Sequence, residues 1–158
     1  MSAIDHYLNA ITQRAESEAL DDGSAAVEAH HLLLALAAHE GTAAHRTLTR
    51  EGLDRRAVRD ALDREFEDTL SKIGVEPAHY DLTSTRGTRT PKLSASARLA
   101  FERGFAASAG KKDLRPAHIL LGVLEAEVGT VPRALALAGV DRVALTALAR
   151  DTLDGESW

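Results

Sequence analysis

The sequence predicts an all-α protein: two tandem four-helix repeats related by pseudo-twofold symmetry and packed as a single compact domain. Three observations carry this. Ala and Leu dominate while aromatic residues make up only 4% of the chain, a composition that suits close helix packing and disfavours a β-sandwich. Apolar residues recur three and four apart over most of the chain. The third is internal repetition. The run H-L-L-L-A-L from His31 reappears as H-I-L-L-G-V from His118, an offset of 87 residues. The same offset pairs Glu40 with Glu127, Arg46 with Arg133, Gly52 with Gly139, Asp54 with Asp141 and Arg55 with Arg142. Going backwards it pairs Gly23 with Gly110 and Ala19 with Ala106. Duplication explains such a register.

The first repeat, 3–73, reads as four helices. Ile4, Leu8, Ile11, Ala15 and Ala19 recur at helical spacing until Gly23 stops the first. A second spans Ala29 to His39, where Leu32, Leu33, Leu34 and Leu36 cover more than one face and demand burial. Thr42 caps a short third helix ending before Gly52, a C′ glycine. Asp54 caps the fourth, with Val58, Leu62, Phe66, Leu70 and Ile73 on one stripe. In the second repeat, 93–153, Ser94 opens a helix that Gly110 ends, and Pro116 starts the helix carrying Ile119 to Leu124. The third runs from Val131 to Ala138, and Asp141 caps the last. Between the repeats, 74–92 is polar and aperiodic, the mark of a mobile linker.

The formal charge of −5 gives no reason to approach nucleic acid or an anionic membrane, and basic pairs such as Arg55-Arg56 and Lys111-Lys112 lie beside acidic residues. With no cysteine there is neither a disulfide nor a thiolate metal site. The start of the chain lacks a basic segment followed by an apolar run, and the longest apolar stretch, Leu32 to Ala38, is too short to cross a bilayer. A cytoplasmic location is expected.

The pattern A-x-x-E-A, a glycine, H-x-L-L-x-x-L and then G-hydrophobic-D, twice over, resembles the amino-terminal domain of the Clp (Hsp100) unfoldases, most closely the ClpC type. Ala15, Glu18, Ala19, Gly23, His31, Leu33, Leu34, Gly52, Leu53 and Asp54 carry it in the first copy. Ala106, Gly110, His118, Leu120, Leu121, Gly139, Val140 and Asp141 carry it in the second. The resemblance implies a module that docks adaptors and substrates for an ATPase ring. It places a peptide- or partner-binding groove where the first helices of the two repeats meet. The matching residues are Met1, Ile4, Asp5, Leu8, Leu93 and Ser94, flanked by His30 and Ala117. Two departures stand out. No nucleotide-binding G-x-x-x-x-G-K-[ST] exists, since Gly110-Lys111-Lys112 lacks its other members. The ClpC-type glutamate before each histidine, which helps bind phosphoarginine, is replaced by His30 and Ala117, so phosphoarginine binding is not expected. The partners implied are peptide or protein segments, Clp protease components, or cyclic-peptide antibiotics directed at ClpC.

Catalysis is not expected, nor is a cofactor. Seven histidines raise a rival, a metalloenzyme drawing on His6, His31, His45 and His118. No H-E-x-x-H is present, and adjacent His30 and His31 should diverge around a helix. His31 and His118 are better read as structural residues that satisfy backbone groups at the start of buried helices. Glu16, Glu18, Asp21 and Asp22 are assigned to solvated faces, Phe66, Phe101 and Phe105 to packing, and Trp158 to a frayed end. A ligand-sensing regulatory domain is a further alternative, without DNA contact because no basic recognition helix exists.

Overall fold

The protein is described here by a computed structural model over residues 1–76, 85–155 and 158. Helices α1 (Ala3–Asp21), α2 (Ala29–Ala38), α3 (Ala43–Arg50) and α4 (Arg55–Lys72) form the first repeat. Helices α5 (Ala95–Ala107), α6 (Pro116–Leu124), α7 (Thr130–Leu137) and α8 (Arg142–Asp151) form the second, followed by a 3-10 turn, Thr152–Asp154. The helices start where the sequence supplies caps. The Ser2 hydroxyl accepts the Asp5 N–H, and the Asp5 carboxylate accepts the Ser2 N–H, a complete capping box. Thr42, Asp54, Ser94 and Asp141 each accept the N–H three residues on.

α2 and α6 are the buried centre, with Leu32, Leu33, Leu34, Leu36, Ile119, Leu120, Leu121 and Leu124 withdrawn from solvent. They touch each other, and the outer helices exchange partners across the seam: α4 packs on α7, and α8 packs on α3. That reciprocal arrangement is what a pseudo-twofold axis requires. Among the described residues the strand content is one short parallel pair, β1 (Ala26–Val27) beside β2 (Lys92–Leu93), which ties the start of the second repeat to the first.

α5 crosses α6 unusually closely. A Cβ placed on Gly122 would lie 1.9 Å from the carbonyl oxygen of Ala100, and one on Gly104 would lie 2.8 Å from that of His118. These glycines permit backbone-to-backbone contact that alanine would forbid.

Several expectations change. The offset of 87 holds from α2 onward but fails between α1 and α5: Ala19 is fully buried whereas Ala106 is exposed. The buried positions Ala100 and Gly104 instead fall on Ile11 and Ala15, an offset of 89, because Gly104 precedes His118 by two residues fewer than Ala15 precedes His31. Glu18 does not lie on a solvated face. It is only 2% exposed and accepts hydrogen bonds from Arg55 Nε (2.9 Å), Arg55 Nη2 (2.8 Å) and Arg14 Nε (3.1 Å). Asp22, likewise half-withdrawn, pairs with Arg59 at 3.0 Å. Helix α4 buries Val58 and Leu62 but outruns the body, so Phe66 is 52% exposed and Ile73 more so.

Of the linker expected over 74–92, residues 77–84 lie outside the described residues. The described part is tied down: Arg86 pairs with Asp21, the Gly87 N–H donates to the Leu20 carbonyl (2.8 Å), and Pro91 is buried. Trp158 is not frayed. Its ring meets Tyr7 edge-on with centroids 5.6 Å apart, and its carbonyl accepts the Ala43 N–H. Arg115 holds the same segment through the carbonyls of Leu153 and Gly155, both at 3.1 Å.

Candidate peptide-binding groove

α1 and α5 flank a furrow on one face of the molecule. Leu8 of α1 forms one wall, and Leu93, Phe101 and Phe105 form the other. The furrow opens as two adjoining cavities of about 340 and 380 Å³, the second floored by Leu114. Phe105 is 45% exposed and leans on Phe101 with ring centroids 5.9 Å apart. Large apolar groups left half in water are the usual anchors for a partner's side chain. One end is closed by Asp5, 3.0 Å from Lys111. Hydrogen bonds from Ser2, then Lys111, hold the Asp5 carboxyl well below the usual carboxylate range.

The expected site residues divide. Leu8 and Leu93 share the furrow, Asp5 marks its end, and Met1 stands in solvent at 76% exposure. Ile4 is core, and Ala117, at 2% exposure in the first turn of α6, cannot reach a ligand. Ser94 turns away to donate to Glu28 (2.8 Å), and His30 faces another cavity. Phe101, Phe105 and Leu114 were assigned to packing or not singled out. Phe101 does pack against the core, but Phe105 lies on the outer side of α5, and the two-residue slip put it out of phase.

The histidines at the helix starts behave alike. The Glu28 N–H donates to Nδ1 of His31 (2.9 Å), and the Arg115 N–H donates to Nδ1 of His118 (3.0 Å). With Nδ1 accepting, the proton is on Nε2, which in His31 donates to Asp22 (2.8 Å). His30 and His31 do not diverge as expected: their rings lie 4.1 Å apart, since His31 turns back toward Glu28. Among the described residues, Asp22, His30 and His31 form the only group of three potential ligands whose atoms come within 4.8 Å of one another. They do not suit a metal ion. Coordination through Nε2 of His31 would leave both its nitrogens without a proton while Nδ1 accepts an amide, and Arg59 already neutralises Asp22.

Burial pushes His30 down to about 4, helped by His31 beside it, so it is neutral at physiological pH. Burial also raises Asp22, but the His31 hydrogen bond and the Arg59 charge outweigh it and leave the carboxyl lowered. Both groups bind protons more readily when unfolded: the share of His30 is lost as pH drops from 6.5 toward 4, and that of Asp22 as pH falls below its ordinary 3.8. Thermal melts across that window should show the decline, and His30→Gln should flatten its upper part. A His30→Gln curve that keeps the wild-type slope would refute this assignment.

The family model for the Clp repeat (R) N-terminal domain matches residues 4–89. The chain belongs to the Clp N-domain family. The N-terminal domain of the caseinolytic protease associated chaperone ClpD from Arabidopsis thaliana has the same fold, with a TM-score of 0.58 at 21% identity, covering 92% of this chain and 89% of that one. No curated protein matches the chain. The family match covers the first repeat of this Clp N-domain, and the shared fold extends the likeness across the second. No helix of the described residues is long and apolar enough to cross a membrane.

Proposed function

We propose that this Clp N-domain is a non-catalytic peptide- and protein-binding module whose principal site is the furrow between α1 and α5. Phe105 carries the proposal: a half-exposed aromatic at the lip of an apolar furrow, between the first helices of the two repeats, where family resemblance puts a groove. Three roles follow from binding alone, in the cytoplasm: adaptor or anti-adaptor for Clp proteolysis, capture of damaged or tagged proteins, or sequestration of cyclic-peptide antibiotics directed at ClpC. Sequestration needs only affinity and abundance, since a spare copy of a target lowers free ligand by mass action. Phosphoarginine binding is not expected, with Ala117 buried and His30 neutral.

Titration against a ClpC-directed cyclic peptide and an assembled Clp ring is the test. Saturable binding to at least one is expected. Phe105→Asp should weaken it at least about tenfold, or ~1.4 kcal/mol, without lowering the melting temperature. Failure of both ligands to bind, or wild-type affinity in Phe105→Asp, would defeat the proposal.

A further inference from the structure

The pseudo-twofold axis relates a cavity in one half of the molecule to a place in the other where the chain packs against itself. There Leu153 and Gly155 accept hydrogen bonds from Arg115, while Trp158 meets Tyr7, itself beside His39, and the Trp158 carbonyl accepts the Ala43 N–H. The offset of 87 carries Arg115 onto Glu28, His39 onto Ala126 and Ala43 onto Thr130, and the offset of 89 carries Tyr7 onto Ser96. Glu28, Ser96, Ala126 and Thr130 all line a cavity of about 550 Å³ between the start of α2, helix α5 and the turn before α7. Leu99, Val123 and Val131 supply its apolar wall. At its end, Gly129 gives α7 no side-chain cap, and the Thr130 N–H has no hydrogen-bond partner among the described residues.

We propose that this cavity binds an extended segment of another polypeptide, much as Arg115, Tyr7 and Ala43 hold Leu153, Gly155 and Trp158. An aromatic side chain would enter the apolar wall while its carbonyl accepts the Thr130 N–H. The inversion of charge between the two places, arginine to glutamate, sets specificity. Arg115 donates to carbonyls three and five residues before Trp158, whereas Glu28 presents a carboxylate. The Ser94 and Ser96 hydroxyls donate to a single oxygen of it, Oε2. The segment therefore places a basic residue three to five positions ahead of the aromatic one.

The probe is a synthetic peptide matching residues 152–158 with arginine at the Leu153 position, compared with the unsubstituted peptide by fluorescence titration. The arginine peptide is expected to bind in one equivalent, at least about fivefold tighter than the leucine one, and more weakly as salt rises. Leu99→Glu and Val128→Glu, both at exposed positions, should each cost at least about tenfold, while Leu8→Glu in the α1–α5 furrow should change nothing. No saturable binding, equal affinity for the two peptides, or loss of binding in Leu8→Glu but not in Leu99→Glu would overturn the proposal. The furrow is read separately by the cyclic-peptide titration, so one site can fail without the other.

Discussion

Gly122→Ala is expected to lower stability by about 3 kcal/mol, the largest effect of any single methyl group in the chain. The new Cβ would meet the Ala100 carbonyl oxygen at 1.9 Å and the Gly104 nitrogen at 2.8 Å, both backbone atoms, which no rotamer change can move aside. Relief requires α5 to slide off α6, and that separation would open the wall of the furrow that α5 supplies. A urea titration should show the midpoint falling with little change in slope. Ala35, at the same position of α2, shows that the first repeat accommodates the methyl group, so the sensitivity belongs to the second repeat alone. An unchanged midpoint would mean that the two helices do not approach this closely.

Arg55→Ala ranks next, at about 2 to 3 kcal/mol. It strips two hydrogen bonds from Glu18, whose carboxylate then remains buried with Arg14 as its remaining ion-pair partner. Burial alone raises the Glu18 carboxyl, and it is the bonds and charge of Arg55, then of Arg14, that bring it below its ordinary 4.5. The pair's contribution is therefore complete above that value and disappears as pH falls beneath it. In Arg55→Ala the loss should begin at higher pH. Replacing Glu18 and Arg55 together by leucine should recover most of the stability, since no orphaned charge remains. A double variant as unstable as the sum of the two single ones would exclude this coupling.

The helices were readable because each rests on local signals: caps at Thr42, Asp54, Ser94 and Asp141, and leucine runs too apolar for any surface. The pairing of Arg55 with Arg142 was also visible, but not its divergence in role. Arg55 holds Glu18, whereas Arg142 donates to the Leu124 carbonyl (2.7 Å), because the offset of 89 puts Ala107, not a glutamate, at the place of Glu18 in the second repeat. Burial of a carboxylate depends on a partner from a distant helix, and periodicity is blind to that. Phe66 and Phe105 failed in the opposite direction, as helical spacing fixes a face without saying whether another element covers it. Ala117 was misplaced because the start of α6 is sunk into the body, where an alanine offers nothing to a ligand.

The exchange of α4 onto α7 and α8 onto α3 has a consequence for ancestry. A chain carrying one unit would leave the inner leucines of its second helix and the outer face of its fourth bare to water, and it would meet its complement in a twin. Joining two such twins by a tether freed each half to drift. One half gained close-packed glycines and the other a buried ion cluster, without either losing the surface that kept them together.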